Sequence, residues 1–382
     1  MRKHFNQLMI ISLLAFNSLQ CQSQSNKKMD FETYDPVSTL VVPKHIVTKA
    51  KYPFIDVHNH QWEGPGQDIK KLVTEMDSLN LQVMVNLSGR GYRNSSGRNG
   101  DFDLQDQDYM TRYMASVAKV DARRVLFFTN ISFVGFGEAG WAGKTVKGLE
   151  SDVKAGARGL KIYKDLGMEF KDEKGKIIAV DDPRLDPVWD KCGELKIPVL
   201  IHSADPKAFW FPEDEHNERW LEIATHPDRQ RSNTNPAPWD SIIEQQHRMF
   251  KKHPNTTFIA AHFGWLGGDL ATLGKLLDEM PNVNVEFGAI ISDLGRQPRA
   301  AAAFFDKYQD RILFGKDSWV PSEYQTYFRV LETEDEYFPY HKKYHAFWPM
   351  YGMGLPDNIL KKIYYKNALR IIPGIDKTMF PD

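Results

Sequence analysis

Short apolar runs recur eight times along this chain, and segments with apolar residues at helical spacing stand between them. The runs cover residues 53–59, 81–87, 125–133, 159–163, 197–201, 256–261, 283–291 and 312–314. Helical patterns fall at 66–80, 104–120, 141–155, 185–195, 239–252, 270–280 and 299–308. From Ser322 the remainder is expected to be helical, closing in a helix over 357–371. Strands that alternate with helices at short spacing argue a parallel sheet, because a parallel pair needs a crossover connection. Eight such units in 382 residues most simply close into a (β/α)8 TIM barrel with loop insertions. A doubly wound open sheet is the competing architecture, weakened because no glycine-rich phosphate loop follows the first strand.

Composition permits one such domain: 42% of residues are hydrophobic and 26% charged. A net charge of −1 offers no basis for nucleic-acid binding. The first residues stand apart. A basic start, Met1-Arg2-Lys3-His4, precedes an apolar stretch from Leu8 to Leu19 that is too short to span a bilayer. Cys21 and a polar segment follow at once, which resembles a lipoprotein signal, although Gln20 and Ser18 depart from the usual pattern. The expectation is a signal over 1–21, a tether and lead-in over 22–50, and the barrel over 51–382. The protein is then exported, periplasmic or membrane-anchored, and touches a membrane only through a lipid on Cys21. The other cysteine, Cys192, has no intrachain partner and is expected to be a buried packing thiol.

Three segments interrupt the alternation. Residues 89–103 are rich in Gly, Arg, Asn and Ser and are expected to be loop. Residues 167–180 form a polar insertion with a hairpin turn at Lys174-Gly175. Residues 203–238 carry five prolines together with Trp210, Phe211 and Trp220, and are expected to cover a site.

In a barrel of this kind the active site lies at the C-terminal ends of the strands. The first run ends Phe54-Ile55-Asp56-Val57-His58-Asn59-His60. Residues i and i+2 of a strand face the same way, so His58 and His60 can both turn onto one ion. Alone, the pair is equally readable as two exposed histidines at a strand end. The same grammar recurs, however: Lys161 on the fourth strand, His202 after the fifth, His262 after the sixth and Asp317 after the eighth. Arg90 and Tyr163, at the ends of the second and fourth strands, are candidate substrate contacts, as are Asp293 and Arg296 after the seventh. Lys164 faces away from the site by strand parity. His216, His226, His247, His253, His341 and His345 lack the strand-end context.

These residues resemble those of the amidohydrolase superfamily, in the family 2 (amidohydrolase-related) branch. The resemblance runs from about Asp56 to Ala368. It is carried by Asp56-Val57-His58-Asn59-His60, Ala261-His262-Phe263-Gly264-Trp265, Phe314-Gly315-Lys316-Asp317 and Ile363-Tyr364-Tyr365-Lys366-Asn367-Ala368. Lys316 stands where the branch usually has Thr, which changes the charge beside Asp317. The resemblance implies a divalent metal, commonly zinc, held by His58, His60, His202 and Asp317. It also implies that His262 polarises the substrate or orients the attacking water. Three neutral imidazoles and a carboxylate suit Zn²⁺. Lys161 stands where other branches bridge two metals with a carboxylated lysine. It equally suits a substrate carboxylate, or neither role. The family 2 branch is more often single-metal, which sets the expectation at one ion rather than two.

The resulting expectation is a metal-dependent hydrolase of a small cyclic ester, lactone or amide, with Asp317 moving the proton and His262 at the oxyanion. The alternatives are a non-oxidative decarboxylase of an unsaturated or aromatic acid, and a non-catalytic binding lipoprotein. The last would be favoured by loss of a ligand, and none is lost. The partner is a small-molecule substrate; a homo-oligomer is compatible with the sequence.

Overall fold

The computed structural model describes residues 29–30, 33–91, 104–232 and 237–381. The signal expected over 1–21, with Cys21, and most of the loop expected over 89–103 lie outside the described residues. The chain divides into Met1–Val41 and Val42–Asp382. In the first unit the Asp30 carbonyl accepts from the backbone N–H groups of Thr33 and Tyr34 at 3.2 and 3.1 Å.

The second unit is a closed parallel barrel with two ladders. One has the order β3-β2-β1-β9, the other β4-β5-β6-β7-β8. The strands are β1 (Phe54–His60), β2 (Leu81–Asn86), β3 (Val125–Phe127), β4 (Leu160–Ile162), β5 (Val199–Ile201), β6 (Phe258–Ala260), β7 (Val283–Glu286), β8 (Ile312–Leu313) and β9 (Asp317–Ser318). Two seams close the ring. Beside β3 and β4, Thr129 N donates to Gly159 O and Lys161 N to Thr129 O, both at 2.8 Å. At the other seam β8 and β9 act as one bent stave: β8 pairs with β7, and β9 pairs with β1. Between them Val57 N donates to Phe314 O at 2.9 Å. Closure thus sets Asn59 opposite Asp317 and His60 opposite Ser318.

Local chemistry explains individual elements. The helix Ile69–Leu79 buries Ile69, Leu72, Met76 and Leu79, one stripe at helical spacing. Asp68 caps it by accepting from Lys71 N, and Asn80 ends it in the left-handed region at φ 70°. The N-terminal end of the barrel is filled by Phe54, whose ring lies 4.7, 5.4 and 5.8 Å from those of Phe314, Phe328 and Tyr364. Cys192 is fully buried in the helix Asp186–Glu194 and is a free thiol. Among the described residues no helix is long and apolar enough to cross a membrane.

Several elements are shorter than their apolar runs. The third run ends as strand at Phe127, and Thr129 adds only an isolated bridge to Leu160. The seventh run breaks after Glu286, because Gly288 N donates to the Glu286 side chain at 2.6 Å instead of continuing a ladder. The chain then turns through Ala289 (φ 58°) into the short helix Ile291–Gly295. The C-terminal part is not helical throughout. After the helix Tyr324–Glu332, residues 333–356 form an irregular strap pinned by an antiparallel bridge between Phe338 and Met350. The hairpin expected at Lys174-Gly175 is present, bridged at Lys171 and Ile177 with Gly175 at φ 74°.

Candidate metal centre

His58 and His60 project from the end of β1 with ring centroids 5.3 Å apart. Each ring is fixed from behind. His58 Nδ1 lies 2.8 Å from Glu286 Oε1, and His60 Nδ1 lies 2.8 Å from Ser88 Oγ. Barrel closure delivers Asp317, whose Oδ1 is 3.2 Å from His58 Nε2 and 3.7 Å from His60 Nε2. The ligand atoms of His58, His60 and Asp317 all lie within 4.8 Å of one another. Asp317 adopts φ 83°, a left-handed conformation that costs energy and clusters at functional sites.

His202 follows β5, its N–H donating to Ile162 O at 3.1 Å. Its Nδ1 lies 3.3 Å from His262 Nε2, and its ring centroid 4.4 Å from that of His262. His262 opens a left-handed turn, with φ of 56°, 54° and 58° at His262, Phe263 and Gly264. Each L-residue in that region costs about 1–2 kcal/mol. The turn is held by bonds from His262 N to Glu286 Oε1 (2.7 Å), His262 Nδ1 to Gly288 O (2.6 Å) and Trp265 Nε1 to Ala204 O (3.1 Å).

Burial pushes the imidazoles of His60 and His202 well below their ordinary pKa, and that of His262 down to about 4. All three therefore offer neutral nitrogens. Burial works to raise the Asp317 carboxyl, but the His58 imidazole beside it, its own pKa raised between Glu286 and Asp317, outweighs burial and holds the group well below its usual value. Burial brings Lys161 down to about 8, and its buried Nζ has no hydrogen-bond partner among the described residues.

The expected site residues divide clearly. His58, His60, His202, His262, Asp317 and Lys161 gather at one mouth. Tyr163 joins them: its hydroxyl bonds Ser88 Oγ at 3.1 Å and its ring lies 5.5 Å from that of His60. Arg90 does not. Its guanidinium is tied to Asp152 at 3.0 Å and to Gln105 O at 3.3 Å, away from the cleft. Asp293 and Arg296 line a separate cavity of about 590 Å³. Lys164 lines the cleft after all, paired with Asp205 at 2.6 Å, because β4 ends at Ile162 and parity stops with it. Lys316 points elsewhere: its Nζ pairs with Glu323 at 2.6 Å. Glu286 was not anticipated, although a carboxylate interrupting an apolar run was the available cue.

The cleft above the cluster holds about 760 Å³ and is lined by His60, Tyr163, His202 and Asp317 among others. Asp228, Arg229 and Arg231 of the 203–238 insertion form part of its wall. Trp62 forms another part, its ring stacked on His60 at 7° and 5.1 Å. The donor set fits a divalent cation. Among the described residues Nε2 of His202 is buried without a hydrogen-bond partner, and Nε2 of His58 makes no well-formed hydrogen bond although Asp317 Oδ1 lies 3.2 Å away. Such orphaned polar atoms are costly unless something binds them.

The model of the amidohydrolase family matches residues 55–374, and the chain belongs to that family. No curated protein sequence matches it. Among solved structures it is similar to 2,6-dihydroxybenzoate decarboxylase complexed with 2,6-dihydroxybenzoate, at 15% identity and TM-score 0.52, over 84% of this chain and 99% of that one. It is also similar to a dihydroxybenzoic acid decarboxylase from Polaromonas with bound manganese and 2-nitroresorcinol, at 14% identity and TM-score 0.51, over 84% and 96%. A 4-oxalomesaconate hydratase from Rhodopseudomonas palustris matches at 13% identity and TM-score 0.45, over 84% and 95%. At these identities the likeness concerns the fold.

Proposed function

We propose that this member of the amidohydrolase family is a metal-dependent hydrolase of a small cyclic ester, lactone or amide. One observation carries the reading: ligand atoms of His58, His60 and Asp317 lie within 4.8 Å of one another at an open cleft that His202 also lines. His58, His60, His202 and Asp317 would hold one divalent ion, with Zn²⁺ suited to the donors. When bound, such an ion polarises a carbonyl and lowers the pKa of water to about 7.

Asp317 accepts a proton from the attacking water and returns it to the leaving oxygen or nitrogen as the ring C–O or C–N bond breaks. Its low pKa keeps it ionised and ready to accept. Lys161 Nζ sits in the same cluster and meets the substrate carbonyl or an acidic substituent. Tyr163 and Trp62 provide flat walls, and the 203–238 insertion limits access of bulk water.

A second reading is decarboxylation of an unsaturated or aromatic acid. It is favoured by the stacked Trp62–His60 pair on the cleft wall, which suits a planar ring. The two dihydroxybenzoate decarboxylases of the same fold act on such acids by name. A measured metal-to-protein ratio, followed by a screen of lactones and unsaturated acids with CO₂ detection, tests both. Ring opening without CO₂ supports hydrolysis; CO₂ release without ring opening supports the second reading. Neither, in metal-loaded protein, favours the non-catalytic alternative.

Export and a lipid on Cys21 belong to this proposal through the sequence of residues 1–21 alone. Mass spectrometry of the mature N-terminus, with Cys21→Ala as the comparison, tests them.

A further inference from the structure

We infer that Glu286 is a positioning residue that sets the proton positions of three imidazoles, His58, His262 and His202, and so directs the bare Nε2 of His58 and His202 into the centre. For what those nitrogens then bind, the inference rests on the metal reading above; for the proton positions it does not.

The carboxylate is completely buried and accepts three N–H groups. Oε1 receives His58 Nδ1 at 2.8 Å and His262 N at 2.7 Å; Oε2 receives Gly288 N at 2.6 Å. Backbone N–H groups only donate, so both oxygens of Glu286 stand as acceptors. A neutral His58 must therefore carry its proton on Nδ1, since a bare Nδ1 would set lone pair against lone pair at 2.8 Å. Nε2 then faces the centre, 3.2 Å from Asp317 Oδ1, and is bare when His58 is neutral.

The second branch runs through the backbone. Gly288, clamped by its N–H, presents its carbonyl to His262 Nδ1 at 2.6 Å. A carbonyl is also acceptor-only, so the His262 proton sits on Nδ1 and its Nε2 is an acceptor. That acceptor faces His202 Nδ1 at 3.3 Å, which places the His202 proton on Nδ1 as well. Again Nε2 is left bare. Among the described residues these two nitrogens, His58 Nε2 and His202 Nε2, are buried and make no well-formed hydrogen bond. His262, with both ring nitrogens engaged, then orients His202 and has no N–H left for an oxyanion.

Neighbouring strand ends are cleared for this carboxylate. A Cβ on Gly315 would fall 2.0 Å from Oε2, and one on Gly288 2.8 Å from it. Partners of this kind orient metal-binding imidazoles, and their loss typically costs 10–100-fold in metal affinity.

The test uses the full chain with ¹⁵N-labelled histidine, first metal-free and then loaded with Zn²⁺. In the metal-free protein, long-range ¹H–¹⁵N spectra should show His58, His202 and His262 each protonated at Nδ1 when neutral. Glu286→Gln keeps one acceptor oxygen but turns an NH₂ toward Gly288 N. It should disturb His262 and His202 and lower Zn²⁺ affinity about 10-fold or more, read by competition with a chromophoric chelator. Glu286→Ala should also release His58. If that variant does not fold, Glu286→Gln decides. An Nε2–H tautomer at His58 or His202 in the wild type overturns the inference. So does unchanged Zn²⁺ affinity in a folded Glu286→Gln protein. A wild type that binds no divalent ion overturns the metal reading instead, while the metal-free spectra still decide the role of Glu286.

Discussion

Asp317 Oδ1 stands 3.2 Å from His58 Nε2, on strands that meet only where the barrel closes. The residue does not cap the segment that follows, since the N-cap of Pro321–Glu323 is Val320. Asp317→Asn should keep the fold and part of the metal, yet lose turnover by about 10²–10⁴-fold, as expected for loss of a general base. Melting temperature, metal content and kcat on this one variant check it. Near-normal kcat with metal bound would remove Asp317 from the proton-transfer role.

His202 shares no direct contact with Asp317 that parallels the His58 geometry; it joins the cluster through His262. His202→Ala should nevertheless lower bound metal and activity together. Chelation of the wild type should lower Tm, and refilling should restore it. A ligand at 100 times its Kd stabilises the native state by about 2.7 kcal/mol. Full occupancy in His202→Ala, by elemental analysis, would take His202 out of the ligand set.

Lys161 presents a buried amine with no hydrogen-bond partner among the described residues and a pKa brought down by burial to about 8. If it carries a carbamate, Lys161→Ala should cut the stoichiometry by one ion, and added short carboxylates should restore part of it. If it meets the substrate, stoichiometry stays and KM rises. The metal ratio and KM measured on the same preparation separate these outcomes.

The centre was legible in the sequence because parallel strands all end on one side. Any residue closing an apolar run is therefore delivered to one mouth, as His58, His202, His262 and Asp317 are. Glu286 escaped because its run continues in apolar residues to Ile291, and only the side-chain bond to Gly288 N shows that the strand stops there. Lys164 escaped for the converse reason: alternation was carried past Ile162, where the strand had ended. Arg90 sits at a strand end but is captured by Asp152, 62 residues away on the helix Trp141–Ala155, a pairing no local pattern encodes. The left-handed turn at His262 is likewise tertiary. Only Gly264 hints at it, and the turn persists because Glu286, Gly288 and Ala204 hold it.

Gly315 is required by space rather than by backbone conformation. A methyl group there would lie 2.0 Å from Glu286 Oε2 and 2.9 Å from His58 Cβ. Both neighbours are buried and already bonded, so neither yields cheaply. Gly315→Ala should cost about 1–3 kcal/mol, as overpacking does, and should weaken metal binding through His58. Thermal unfolding of the metal-free variant reads the first effect and chelator competition the second. Unchanged stability and affinity together would show that the strand end relaxes freely.

His247 supplies a pH test remote from the centre. It lies on the helix Trp239–Lys252 and lines the second cavity, with a buried Nε2 that has no hydrogen-bond partner among the described residues. Burial lowers its pKa from 6.5 to about 4, and the nearby Glu279 only partly opposes this. Between those values the unfolded chain binds a proton that the native state refuses. Stability therefore falls as pH drops through that window; above about 6.5 the effect is absent, and below about 4 it is complete. At pH 5 the cost is about 2 kcal/mol. His247→Gln removes the titrating ring, so the variant should lose less stability than the wild type between pH 7 and pH 5. Urea unfolding of both proteins at the two pH values measures the difference. Parallel pH dependence in the two would mean that His247 takes up its proton in the folded state as readily as in the unfolded one, and that the cavity is wetter around Nε2 than its burial indicates.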